Sequence, residues 1–178
     1  MIRAKKNNFP EINGIARNSV LRELNRLSCD YYIISDVCLS LNWPVKYRKT
    51  QEIVKFCQID FVVIGPTGIF LIEAKEWSEK ILREDMYIPF KEADKAGLIF
   101  YIKIINRFNK KFPIYNVVVM LQKVPKIQYE YVRQVSLQQL YRFILQREGI
   151  LHKKKITKTV RWLSKVSNRK AIIGTTTI

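Results

Sequence analysis

A chain of 178 residues, nearly half apolar and a quarter charged, is long enough to bury one sizeable core and too balanced in composition to be disordered as a whole. Its formal net charge of +17 attracts polyanions, nucleic acid first among them, with a surface kept basic for solubility as the plain alternative. Three cysteines without CxxC spacing and a single histidine, His152, exclude a zinc finger, and no Walker loop, Rossmann fingerprint or Ser/His/Asp triad is present.

Cys29, Cys38 and Cys57 lie in or beside apolar runs and read as buried free thiols of a reducing compartment. The N-terminal stretch carries no apolar h-region, and the longest nearly uncharged run, residues 59 to 72, is broken by Asp60 and a Gly-Pro turn. A cytoplasmic protein with no membrane association is therefore expected.

In chain order, residues 1 to 11 are polar and expected to fray. Ala16, Val20, Leu24 and Leu27 recur at helical spacing behind Asn13 as a candidate N-cap. Residues 31–39, rich in aromatic and β-branched types, predict a strand, and 40–55 an irregular basic connection. Within that connection Trp43, Tyr47, Arg48 and Lys49 are candidates for touching nucleic acid. Two strands, 57–64 and 69–77, follow. Pro89 opens a helix marked by Ala93, Gly97, Phe100, Ile104 and Phe108, and 114–121 is a continuous apolar strand of the kind buried on both faces. Ser136 and Gln139 suggest a capping box for a helix with Leu137, Leu140, Tyr141 and Ile144 on its stripe, and Gly149 a terminator. The last segment holds eight Lys or Arg and no acid, with Ile156, Val160 and Leu163 on one helical face. The order predicts a mixed α/β domain, 12–148, with a small sheet covered by helices and a basic C-terminal extension, 149–178.

The stretch QIDFVVIGPTGIFLIEAKEW, residues 58 to 77, carries three charges inside an apolar hairpin. With a four-residue turn at 65–68, opposed positions place Asp60 across from Glu73 and Gln58 across from Lys75. Period-two alternation then gathers all four on one face. Two carboxylates about 5 Å apart repel by roughly 3 kcal/mol at an effective dielectric of about 20. A divalent cation, Mg²⁺ above all, bridges such a pair through carboxylate and phosphate oxygens. Lys75 beside it is placed to orient or deprotonate a water, or to stabilise charge developing on a phosphate. The competing reading is an edge hairpin that uses charge to discourage strand pairing.

At these residues the chain resembles the nuclease-related domain (NERD) family of the PD-(D/E)XK superfamily. The matching pieces are QID before an apolar strand, GPTGIF, and IEAKEW with Ile81 four residues after Trp77. More loosely, NVVVML and SLQQLYRFIL match the later core strand and its helix. The resemblance implies a restriction-endonuclease-like core, metal ligands at Asp60 and Glu73, a catalytic Lys75, and Gln58 as a supporting polar residue. The implied reaction is Mg²⁺- or Mn²⁺-dependent hydrolysis of DNA, RNA being a further possible substrate, and two-strand cutting would favour a homodimer.

Two departures stand out. Family members usually carry a Gly-Glu pair early in the first helix, where this chain has Ala16-Arg17; Glu23, about 240° further round the helix, is a poor substitute. The next helix keeps Pro89 but has Glu92 where the family often has glutamine. These losses support an alternative reading, a nucleic-acid-binding module that retains the nuclease fold without efficient chemistry. Arg17 is then a candidate phosphate contact, as are Lys153, Lys154, Lys155, Lys158, Arg161 and Lys165, with Arg169 and Lys170 beyond them. A structural or membrane-surface adaptor built on the basic helix is a third reading. Trp162 and Trp77 are expected to pack rather than to bind.

Overall fold

The most apolar stretch of the chain takes the centre of the sheet. The structure is a computed structural model that describes residues 10–75, 87–122 and 128–173. Strands β1 (Tyr32–Lys46), β2 (Ile53–Gly65) and β3 (Gly68–Lys75) form an antiparallel meander. Strands β4 (Ile114–Met120) and β5 (Val132–Ser136) continue it in parallel, and the short β6 (Ile172–Ile173) pairs antiparallel with β1. The order β5-β4-β3-β2-β1-β6 makes a six-stranded mixed sheet. Because β2 and β3 are interior, the charges of this hairpin are not there to protect an edge, and the edge reading is overturned.

Helices cover both faces. On one side α1 (Pro10–Leu24) and α3 (Leu137–Leu145) bury Ala16, Val20, Leu24, Leu140 and Ile144 against Phe61, Val63, Phe70 and Ile72. On the other, α2 (Ile88–Phe108) and α4 (Lys153–Ser167) bury Ile99, Phe100, Ile104, Ile156, Val160 and Leu163 against Val62, Ile64, Ile69 and Leu71. Residues 61–64 and 69–72 thus alternate between the two cores, as their continuous apolar sequence requires of a strand buried on both faces. This is a mixed α/β fold consistent with a restriction-endonuclease-like core.

The basic C-terminal helix is no free arm. Ile156, Val160 and Leu163 are buried, each contributing about 1.5–3 kcal/mol, and Trp162 lies edge-on to Phe100 and Phe108. Backbone N–H groups of Ile150 and Leu151 donate to Pro66 O, both at 2.9 Å, which ties the start of α4 to the β2–β3 turn. The helix ends at Asn168 in the left-handed conformation, and Arg169 then donates from Nε to Asp36 O at 3.1 Å. A 15-residue helix spans about 22 Å, so the lysines of its first turn stand about a helix length from Asp36.

Several sequence expectations need correction. The supposed irregular connection 40–55 is the distal half of a long β1–β2 hairpin with a register shift between Ser40 and Val45, and its Val37, Leu39, Leu41, Val54, Cys57 and Ile59 face the core. Its polar and basic residues conceal a strand because only one face is covered. The β2–β3 turn has two residues, Pro66 and Thr67, since Gly65 pairs with Gly68. Gly68 has φ 137°, and a Cβ there would lie 2.9 Å from Pro113 O, so the turn requires glycine. α1 starts at Pro10, ahead of Asn13, and α3 ends at Leu145, ahead of Gly149. Ser136 sits at the N-cap of α3 but makes no side-chain capping bond. β5 went unpredicted because its five residues, VRQVS, hold only two apolar positions three apart, Val132 and Val135, which set no strand period. Of the three free cysteines only Cys57 is buried; Cys38 is half-buried and Cys29 exposed.

Candidate active site

Ladder pairing between β2 and β3 runs from Gly65/Gly68 to Phe61/Ile72 and then stops. The next opposed pair is Asp60 and Glu73, in the register expected from sequence. Here the strands part, and the Asp60 carboxylate takes over: its Oδ2 accepts a hydrogen bond from the Ala74 N–H at 2.9 Å. β3 continues alone with β4, pairing Glu73 with Val118 and Lys75 with Met120. The site is therefore the notch where two central strands diverge.

Alternation also slips at this level, which changes the predicted single face. Ile34 and Val37 face the same core, as do Ile59 and Val62, so β1 and β2 both skip a step at Asp36 and Asp60. Asp36 lies opposite Asp60, between the pairs Ser35/Phe61 and Val37/Ile59, and has φ 53°. That left-handed conformation is unusual for a non-glycine residue, though aspartate tolerates it better than most. Asp60 consequently turns toward α1, where Arg17 meets it. Glu73 and Lys75, in register with Val118 and Met120, leave the sheet on the α2 side. The groups meet across the notch rather than on one strand face.

The charges form a network. Arg17 donates from Nη2 to Asp36 Oδ1 in a short contact, lies 3.6 Å from Asp60 Oδ1 through Nε, and stacks over Phe61 at 5.6 Å. Lys75 Nζ is 2.7 Å from Glu73 Oε1. Asp60 and Glu73 are only 14 % and 18 % exposed. Burial pushes the Glu73 carboxyl up to about 7, with the neighbouring Asp60 adding to the rise and Lys75 and Arg17 only partly opposing it. Burial works against the Lys75 ammonium, but the attraction of Glu73 and Asp60 outweighs it and the pKa moves upward. Lys75 stays cationic, while Glu73 is poised between its two forms near neutrality.

Other predicted residues fall elsewhere. Gln58 lies exposed on β2, across from Cys38 on β1. Glu23 pairs with Arg26 at 2.7 Å, away from the notch, and Glu92 pairs with Lys95 at 3.1 Å while adding to the field at Lys75. Lys153, Lys154, Lys158, Arg161 and Lys165 are exposed on α4, whereas Lys155 is half-buried over the Phe112 ring at 4.2 Å. Tyr47 is buried, its hydroxyl donating to Asp94 Oδ2 at 2.5 Å, while Lys49 is exposed with its Nζ 2.9 Å from the same atom. Trp77 and Ile81 lie outside the described residues. Sequence reasoning missed Asp36; the signal was an acid interrupting the apolar run 32–39.

The model of the nuclease-related domain matches residues 14–121, which cover α1, the meander and notch, α2 and β4. The chain belongs to the nuclease-related domain family. No curated protein and no solved structure matches it. Arg17, at the first-helix position where the resemblance led to the expectation of a glutamate, places its guanidinium beside Asp60. No group of three or more His, Cys, Asp or Glu side chains with metal-site geometry occurs among the described residues. The donor chemistry of Asp60 and Glu73 nevertheless fits a hard divalent cation, which takes one or two carboxylates together with water and phosphate oxygens. An open cleft of about 740 Å³ along β5 and α3, lined by Gln139 and Arg142 among others, includes none of these groups. No helix among the described residues is long and apolar enough to cross a membrane.

Proposed function

We propose that this member of the nuclease-related domain family hydrolyses DNA phosphodiester bonds with the help of Mg²⁺ or Mn²⁺. The observation that carries the reading is the pairing of two nearly buried, opposed carboxylates with Lys75 at the end of the two central strands. Asp60 also accepts the Ala74 N–H where the ladder ends, but that role needs no second carboxylate, and burial holds the Glu73 carboxyl above its usual range.

In this reading Asp60 and Glu73 hold the cation, which would polarise the phosphate and acidify a bound water. The Lys75 ammonium is a donor rather than a proton acceptor, which favours charge stabilisation on the phosphoryl oxygens over deprotonation of water. Arg17 grips a non-bridging phosphate oxygen and leaves Asp60 as it does so. Water adds its oxygen to phosphorus and loses a proton to bulk solvent, the ester P–O bond breaks, and the leaving sugar oxygen takes a proton from solvent.

The test is cleavage of single-stranded, duplex and branched DNA with Mg²⁺ or Mn²⁺, comparing wild type with Asp60→Ala and Lys75→Ala. Turnover that needs metal and disappears in both variants is the expected result. Equal cleavage by wild type and Lys75→Ala would refute it. The Arg17–Asp60 contact favours a second reading, a nucleic-acid-binding module with weak or no chemistry. That reading predicts salt-sensitive binding without cleavage in any metal.

A further inference from the structure

Beyond the notch, the β1–β2 hairpin runs outward with one face on the core and the other bare. Leu39 pairs with Cys57 facing inward, so the neighbouring pairs Ser40/Phe56 and Cys38/Gln58 face outward. Ser40, Phe56 and Gln58 on this outward face are all exposed. Phe56 stands on it 62 % exposed, opposite the small Ser40. Ile53, 68 % exposed, follows beside Lys46, and Trp43, 81 % exposed, lies in the irregular stretch between the two registers of the ladder, beyond the reach of the core. Lys46, Arg48 and Lys55 are exposed around these rings. The nearby acid, Glu52, is held by Lys95 at 2.5 Å, so the hairpin presents cations and aromatic faces together.

We infer that the outward face of this hairpin is a binding platform for single-stranded DNA, which feeds the strand to the notch. The inference rests on the hydrolytic reading for the identity of the polymer and goes beyond it in naming the strand form. A single exposed ring is ordinary on a protein surface, but a ring amid lysines offers stacking to a base and charge to its phosphate. A duplex covers its base faces with neighbouring bases, so it cannot use Trp43 and Phe56 in this way. Continuity points the same direction: Phe56 lies four residues before Asp60 on β2, about 13 Å, with exposed Gln58 between them. A strand lying along β2 with a base on Phe56 therefore brings a following phosphate to Asp60, at the mouth of the notch that Glu73 and Lys75 line from the α2 side.

The experiment is fluorescence anisotropy of a labelled oligothymidylate and a labelled duplex, in EDTA so that hydrolysis plays no part. Trp43→Ala and Phe56→Ala are each expected to weaken single-strand binding about tenfold, with duplex binding changed less than about twofold. Trp43→Phe and Phe56→Tyr, which keep a ring, are expected to retain it, and Tyr101→Ala, which removes an exposed ring on α2, serves as control. Lys55→Gln should lower the slope of log affinity against log salt by about 0.7. Unchanged single-strand affinity, or equal losses on single strand and duplex, overturns the platform. So does a wild-type dimer that becomes monomeric in Trp43→Ala while strand binding stays the same, which would make this face a self-association surface. A protein that cleaves DNA but binds single strands equally well without the rings refutes the platform alone. One that loses strand binding with the rings, yet never cleaves in any metal, refutes hydrolysis alone.

Discussion

Two clusters of charge sit on the same β1–β2 hairpin, one at its root and one at its tip, and they are built to opposite ends. At the tip, Asp94 of α2 receives the Tyr47 hydroxyl at 2.5 Å and the Lys49 ammonium at 2.9 Å, and Lys49 also covers the Tyr129 ring at 4.4 Å. Burial, reinforced by Asp94, holds the Tyr47 phenol protonated far past its usual range, so it remains a donor. Each group there meets its complement. At the root, Asp36, Asp60 and Glu73 share Arg17 and Lys75, and Glu73 is left with a carboxyl displaced to about 7. A closed cluster holds parts of a fold together; an open one keeps a field available for a ligand.

The largest effect expected from this contrast is on chemistry. Lys75→Ala should reduce metal-dependent cleavage by about 10²–10³-fold or more, with little loss of stability at neutral pH because Glu73 can take up a proton when its partner goes. Comparable losses of cleavage and of melting temperature would make Lys75 structural, like Lys49.

Asp94→Ala should do the reverse. Removing the shared acceptor leaves the buried Tyr47 hydroxyl only the long contact to Tyr129 and Lys49 only Glu130, at about 2 kcal/mol, which lowers Tm by about 4–8 °C for a chain of this size. Mn²⁺ binding measured by calorimetry at a temperature below the transition should be unchanged. A drop in affinity would join the two clusters into one site.

The pH dependence of stability tests the root directly. Glu73 has a folded-state pKa near 7, above its ordinary 4.5, so the folded protein holds this proton more tightly than the unfolded chain. Its stabilising contribution is complete below pH 4.5 and is lost as pH rises through about 7. Relative to Glu73→Gln, wild type should lose about 3 kcal/mol across that window, read from urea denaturation at a series of pH values. A parallel pH profile for the two proteins would show that Glu73 is ionised throughout.

The smallest effect concerns Arg17. Arg17→Gln removes the guanidinium from Asp60, and Mn²⁺ affinity without nucleic acid should rise by several-fold, about 1 kcal/mol. Unaltered or weaker Mn²⁺ binding would mean that Arg17 does not compete with the cation.

Much of this architecture was legible in the chain. The hairpin register followed from a Gly-Pro-Thr-Gly turn between two apolar runs, and the helices from Ala16–Val20–Leu24, from Phe100–Ile104 and from Ile156–Val160–Leu163, since a buried face imposes its period on the sequence. The hidden strand at 40–46 and 53–56 was not, because a strand covered on one face and basic on the other looks like a loop when polar residues cluster on it. β5 escaped for a related reason: an edge strand of five residues carries too few apolar positions to set a pattern.

What the sequence determined by itself was the covalent spacing of Asp60, Glu73 and Lys75 and the register that opposes the first two, both local consequences of a short turn. That Asp36 stands opposite Asp60, that alternation slips there, and that Arg17 from a distant helix closes on both acids were decided only by tertiary structure. Contacts between segments dozens of residues apart depend on how whole faces pack, and no local period encodes them. The basic extension makes the same point: its charge was plain in the sequence, but docking through Leu151, Ile156, Val160 and Leu163 decided which cations lie near the notch and which lie a helix length away.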